Sequence, residues 1–243
     1  MNDPHVISGD LQRLEAEALE LLRQALGQHR SQIALASSFS LEDVVVIDLL
    51  TRITPDVRVF AIDTGRLPEE TLLCADAVRA RFGIIIDWHF PERAEVEALM
   101  RTKGSYSFLD GLSARHECCR IRKLEPLSRA LQGLTAWITG LRREQNVSRS
   151  GLEPVEVDAL HGGIAKYNPL AAWTAAAVAE YTEIRRLPVH KLYAQGYRSI
   201  GCAPCTRAVQ PGEDDRAGRW WWENPEHKEC GLHANHEALG TRH

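Results

Sequence analysis

From Asp10 to Arg30 apolar residues recur every three to four positions, with Leu11, Leu14, Ala18, Leu21, Leu22 and Ala25 on one stripe. That period predicts an amphipathic helix. The pattern then shortens. QIALASS (32–38) reads as a buried strand, followed by a helix beginning near Ser40. VRVFAI (57–62) reads as a second strand, with a helix opening at Pro68, where a proline suits the first turn. GIIIDWHF (83–90) predicts a third strand and AWIT (136–139) a fourth. Trp173 to Arg186 is helical and stops before Pro188. Residues 140–166, rich in Arg, Ser and Gly, read as a long loop or hairpin, and loops of that length in compact domains are often functional. After Gly201 regular patterning fades. Short apolar strands alternating with helices predict an α/β fold built on a doubly wound, mainly parallel sheet, which takes ligands beyond the carboxyl ends of its strands.

Length and composition narrow the class. With 243 residues and 44% hydrophobic content, the chain can bury one substantial core with a modest appendage. The expected organisation is one globular domain overall, with residues 1–200 as the α/β part and 201–243 as a C-terminal segment and tail. A net charge of -4, from 29 basic and 33 acidic residues, gives no global pull toward nucleic acid or an anionic membrane, so any anion site must be local. The first ten residues lack a basic-then-apolar signal pattern, and the most apolar windows, such as VVVIDLL (44–50), are far too short to span a bilayer. A soluble, cytoplasmic protein is the expectation. Six cysteines, at 74, 118, 119, 202, 205 and 230, then read as metal ligands or redox residues rather than disulfides.

Three strand ends carry candidate chemistry. In SSFSLEDVV (37–45) hydroxyls stand where a strand gives way to a helix N-terminus, whose free amides and partial positive charge suit a phosphate; an ordinary helix capped by Ser40 explains the same residues. IDTGRLPEE (62–70) places Asp63, Thr64 and Gly65 at the second strand end, and ITGLRREQNVSR (138–149) offers Arg142, Arg143 and Arg149, which either clamp a phosphate or sulfate or sit in a solvated loop. The cysteines are more specific. HECCRIRK (116–123) holds adjacent Cys118 and Cys119, and GCAPC (201–205) holds Cys202 and Cys205. Four thiolates suit an iron-sulfur cluster or a structural zinc. Adjacent side chains diverge and chelate one ion poorly, whereas a cubane presents four separate iron corners, so the cluster is preferred over zinc or unmetallated thiols. Cys74, within a helical run, reads as a small core residue. Cys230 lies outside the quartet, between Lys228 and His233 and after Arg216 and Arg219, neighbours that favour a thiolate able to meet an anionic substrate; an inert tail cysteine is the bland alternative.

Taken together, SSFSLEDVV, IDTGRLPEET, ECCRIRKLEPL, TGLRREQ, YRSIGCAPCTR, RAGRWWWE and KECGLH resemble the assimilatory adenylylsulfate (APS) and phosphoadenylylsulfate (PAPS) reductases over about residues 32–233. The tandem pair plus C-x-x-C is similar to the subgroup that carries a [4Fe-4S] cluster and typically prefers APS; a PAPS reductase carrying the same cluster is the alternative. The resemblance implies a fold of the adenine-nucleotide alpha hydrolase-like type, a cluster on Cys118, Cys119, Cys202 and Cys205, and catalysis by Cys230. It implies that Ser38 and Ser40 hold the nucleotide side, that Ile62 and Gly140 contact adenosine, and that Lys123, Arg149, Arg216, Arg219 and His233 surround the phosphosulfate. It further implies thioredoxin or a similar dithiol as donor and a homo-oligomer, dimer or tetramer. An ATP-using sulfur-transfer enzyme acting on tRNA shares such a fold, but its S-G-G-x-D-S loop is absent here. A zinc-binding interaction module without catalysis is the remaining contrast.

Overall fold

The computed structural model describes residues 8–146 and 149–223. The first helix, α1 (Gly9–His29), opens on Ser8, whose hydroxyl accepts from Leu11 N, and buries Leu11, Leu14, Ala18, Leu22 and Ala25 as its periodicity requires. Strand β1 (Ile33–Ala36) leads into α2 (Leu41–Thr51), β2 (Val59–Ile62) into α3 (Glu69–Phe82), and β3 (Ile86–His89) into α4 (Arg93–Lys103). Next come α5 (Leu112–Cys119), a π-helical turn (Arg120–Leu124) and α6 (Glu125–Ala130). Strand β4 (Ala136–Ile138), the pair β5 (Val155–Asp158) and β6 (Ile164–Tyr167), and α7 (Ala175–Arg185) complete the regular elements.

Six strands form one sheet in the order β3-β2-β1-β4-β6-β5. Pairing is parallel from β2 through β1 and β4 to β6, and β5 turns back antiparallel on β6. Residues 140–166 thus contain the hairpin. Strand order reverses between β1 and β4, and in an open α/β sheet that reversal opens a crevice at the carboxyl ends of the two strands. Helix α2 is apolar nearly all round because Val44, Val45, Val46, Ile47, Leu49 and Leu50 are all buried. A helix of that kind belongs in the interior, and its N-terminus is correspondingly fixed.

The described residues fall into two compact units. One draws on the chain up to Ala61, on Glu69–Asp87 and on Gly133–Lys191; the other on Ile62–Pro68, Trp88–Gln132 and the chain from Leu192 on. The core of the second unit combines Leu99, Phe108, Ile121 and Trp220 with three of the cysteines, Cys118, Cys202 and Cys205. Among the described residues no helix is long and apolar enough to cross a membrane.

Candidate active-site elements

In the first unit the turn after β1 is shaped by Phe39, which is buried yet sits at φ 60°. That left-handed conformation is rare for a bulky side chain and persists only where the surroundings enforce it. Here Ser37 Oγ accepts from Phe39 N at 3.1 Å, and the Phe39 carbonyl lies 3.9 Å from the Cys74 thiol. Cys74 is the core residue its helical setting predicted, and burial pushes its thiol up to about 11. The turn leaves Ser38 exposed and Ser40 as N-cap of α2, its hydroxyl accepting from Asp43 N at 3.3 Å. Asp43 in turn accepts from Ser38 N at 2.6 Å and from Ser38 Oγ at 2.8 Å.

Asp43 is wholly buried. Burial raises its carboxyl from 3.8 to about 6, against the Ser38 and Ser40 donors that pull the other way. Because the folded value is the higher one, the stabilisation is fully present below about pH 3.8 and is lost as pH rises through about 6. Asp43→Asn, which cannot ionise, is expected to flatten the decline in melting temperature across that window; a melting series on parent and variant checks it.

Gly140, just beyond β4, comes so close to α2 that a Cβ there would meet Asp43 Oδ1 at 2.5 Å, Glu42 Cβ at 2.9 Å and Asp43 N at 3.0 Å. Gly140→Ala is therefore expected to cost about 1–3 kcal/mol by forcing β4 and α2 apart, read in a denaturant titration. The preceding Thr139 donates to Asn168 Oδ1 at 2.6 Å, and Asn168 donates on to the Glu153 carbonyl at 2.8 Å, so the strand end is braced by the hairpin.

Of the arginines that follow, Arg142 is placed differently from the sequence expectation of a phosphate clamp or a solvated loop. Arg142 is buried and donates from Nε to Glu42 Oε1 at 2.9 Å, with a second contact to Glu144 at 3.0 Å. Its charge is committed to the first turn of α2. Arg143 donates to the Leu152 carbonyl at 2.7 Å. Arg149 donates to Gln145 Oε1 at 2.6 Å, and Gln145 reaches Glu42 Oε1 at 3.1 Å, which places Arg149 at the rim of the same polar network. Ile62 is the last residue of β2 and is half-buried.

In the second unit Cys118, Cys119, Cys202 and Cys205 line one cavity. Two pairs more than 80 positions apart in the sequence thus border the same cavity. Arg66, Arg115, Arg122 and Lys123 share the lining, with Phe108 and Trp220 as its apolar part. Cys118 and Cys119 close α5, and Arg122 and Lys123 sit in the π-helical turn beyond it; turns of that type recur at functional sites. Cys202 and Cys205 flank a short helical turn that Ala203 N ties to the Arg66 carbonyl at 2.8 Å.

Charge around the thiols is uneven. Burial alone would raise the Cys202 thiol, but Lys123, a 3.3 Å contact with the Thr64 hydroxyl, Arg219 and Arg122 together hold it below its ordinary value. Burial raises Cys118 despite Arg122, Arg66 and Lys123, and burial with the neighbouring Cys202 charge pushes Cys205 up to about 12. Arg122 donates to the Thr64 carbonyl at 2.6 Å, while its buried Nε has no hydrogen-bond partner among the described residues. Among those residues no three His, Cys, Asp or Glu side chains gather tightly enough for a single metal ion. Four thiols in a cationic, partly apolar cavity are a donor set of the chemistry that an iron-sulfur cluster takes.

Arg219 is buried beside Gly201, where a Cβ would meet its guanidinium at 2.4 Å, and it lies 4.5 Å from the Trp220 ring centroid. Arg216 donates its backbone N–H to Asp214 at 2.8 Å. Cys230 and His233 lie outside the described residues. Sequence reasoning passed over Arg66, Arg115, Arg122 and Glu223. Arg122 stood in a quoted motif, but nothing in its neighbours separates it from a surface arginine.

The sheet order, with a capped and buried helix leaving the carboxyl end of a central strand, defines a fold of the adenine-nucleotide alpha hydrolase-like type. A FMN adenylyltransferase from Candida glabrata shares it at TM-score 0.60 and 14% identity, over 98% of this chain and 81% of that one. Residues 32–208 match the phosphoadenosine phosphosulfate reductase domain, and the chain belongs to that family. An adenosine 5'-phosphosulfate reductase from Allochromatium vinosum is 47% identical over 95% of this chain and 89% of its own length. One from Neisseria meningitidis is 46% identical over 95% and 94%. The crystal structure of a phosphoadenylyl-sulfate reductase from Candida auris, a phosphate complex, matches at TM-score 0.68 and 25% identity, covering 84% of this chain and 98% of that one.

Proposed function

We propose that this chain reduces adenylylsulfate to sulfite and AMP in sulfate assimilation, with a [4Fe-4S] cluster on Cys118, Cys119, Cys202 and Cys205 and a covalent intermediate on Cys230. The observation that carries the reading is the convergence of four cysteines and four cationic side chains on one cavity, in a chain whose relatives at 46–47% identity are named adenosine 5'-phosphosulfate reductases. The cluster, when bound, would organise the thiol-bearing segments and set the local field without needing to change redox state.

Ser38 and Ser40, at the strand end held by Phe39, would take the nucleotide side, with Gly140 and Ile62 against the adenosine. Lys123, Arg149, Arg216, Arg219 and His233 are the cationic residues proposed for the phosphosulfate, where they would stabilise charge gathering on the leaving phosphate and the sulfuryl oxygens. The Cys230 thiolate attacks the sulfuryl sulfur, the sulfur–oxygen bond to AMP breaks with its electron pair on the phosphate, and S-sulfocysteine forms. A thiolate of thioredoxin or a similar dithiol then attacks the Cys230 sulfur. The sulfur–sulfur bond breaks with its pair on the sulfonate, sulfite leaves, and the donor's second thiol resolves the mixed disulfide. Sulfur gains the two electrons that the dithiol loses. A soluble, cytoplasmic homo-oligomer belongs to the same reading.

Anaerobic purification followed by sulfite-release assays on APS and on PAPS, each with thioredoxin, tests the proposal. A brown protein turning over APS faster than PAPS is expected. Preference for PAPS would transfer the reading to the cluster-bearing PAPS alternative, and a colourless, zinc-loaded protein without sulfite release would overturn it.

A further inference from the structure

The two cysteine pairs sit on separate segments of the second unit, and the stretch Arg219–Glu223 spans both. Thr206 and Arg219 form an antiparallel bridge, and Trp220 N donates to the Cys205 carbonyl at 3.2 Å, which fastens this stretch to the C-x-x-C turn. Three residues on, Glu223 Oε1 accepts from Arg115 Nε at 2.7 Å. Arg115 lies on α5 one turn before Cys118 and lines the cavity beside it, so the same stretch is fastened to the other pair. The ion pair is enclosed: the side chains of Arg115 and Glu223 are 1% and 8% exposed. Trp220, which shares one core with Cys118, Cys202 and Cys205, has the Arg115 guanidinium carbon 4.5 Å from its ring centroid.

Taking two charges out of water costs about what their attraction returns, and apolar residues of the same volume often serve a core as well. This pair is not even fully compensated, because Glu223 Oε2 is buried with no hydrogen-bond partner among the described residues. Stability alone therefore does not account for Arg115 and Glu223. What a directional contact adds is a fixed spacing between the segments it joins. Groups that orient metal ligands from behind change metal affinity about 10- to 100-fold when they are removed.

We infer that the Arg115–Glu223 pair is a latch that holds the two cysteine-bearing segments at the spacing an iron-sulfur cluster needs, and so sets how long the iron is retained. The inference rests on the cluster reading of the four cysteines. The pair acts as a positioning device, through α5 and the C-x-x-C turn, and not as a ligand. Loss of iron requires the segments to part, and the latch raises the cost of that local opening. In the whole chain, purified anaerobically and given an excess of a ferrous chelator, Glu223→Ala is expected to release iron about 10- to 100-fold faster than the parent. A purely electrostatic role has the opposite sign. A cluster on four thiolates is anionic, and removing the Glu223 carboxylate leaves the cavity more positive, which would slow release.

Leu127→Ala is the control for stability alone. Leu127 is buried on α6, outside the core that holds the cysteines, so its truncation lowers stability without touching the latch. Each chain is measured equally far below its own melting midpoint. Release at the parental rate, slower release, or an acceleration that Leu127→Ala matches overturns the inference. A folded Glu223→Ala chain that purifies without iron, while Leu127→Ala keeps it, is the limit of the expected result. If Glu223→Ala does not fold, Glu223→Gln, which keeps an oxygen for Arg115 and loses the charge, is put through the same measurements against the same outcomes. A parent without iron removes the cluster reading and this inference together, whereas an iron-loaded parent with an unaffected variant removes this inference alone.

Discussion

A Cys230→Ser chain is expected to lose sulfite formation by at least about 10⁴-fold, the scale seen when a covalent nucleophile is removed. It should form no covalent sulfo-adduct from labelled APS, while AMP binding and the absorbance near about 400 nm remain at parental levels, because Cys230 is not part of the quartet. The contrast between the two kinds of readout makes the test sharp. A serine variant that still accumulates adduct would place the nucleophile on another residue. One that loses its colour would make Cys230 a structural residue instead.

Cys202→Ser is expected to have the opposite signature. Cys202 is buried, touches the Thr64 hydroxyl, and is the quartet thiol whose surroundings hold it below its ordinary value. A serine hydroxyl is a poor ligand for iron, so most of the iron, about four atoms per chain in the parent, should be lost along with the colour and the activity. Because Cys202 packs with Leu99, Phe108 and Trp220 in the core of its unit, the melting temperature should also drop. Iron analysis and a melting curve on the same anaerobic sample check both parts. Full retention of iron would remove Cys202 from the ligand set.

The two halves of the molecule differ in how far the sequence reveals them. Around the sheet, apolar runs and caps were sufficient: Ser40 is the N-cap its position predicts, and all four strands expected there exist, with a hairpin in the long loop. Between Phe90 and Leu134 the pattern is faint, because α4 buries only Leu99 and the chain then breaks into short helical pieces joined by a π-helical turn. Short elements that share one small core carry too few periods to be seen. Buried arginines are harder still. Arg115 is tolerated inside because of Glu223, 108 positions away, and Arg122 because of the Thr64 carbonyl, 58 positions away. Local spacing cannot announce partners at that distance. The arginine loop shows the converse, since Arg142 looks like an anion clamp in sequence and is consumed by Glu42 in the fold.

Phe39 has a consequence for recognition. A phenylalanine held at φ 60° between Ser38 and Ser40 means that the turn is forced into shape by the core beneath it, whether or not anything is bound above. The conformational entropy of ordering that turn is spent when the chain folds rather than when a ligand arrives. An anion met there needs no induced fit of the loop, so its association should be fast and nearly independent of loop dynamics. In that sense the hydrophobic interior, through one awkward ring, would be a silent contributor to the affinity of any ligand that the proposed site takes at that turn.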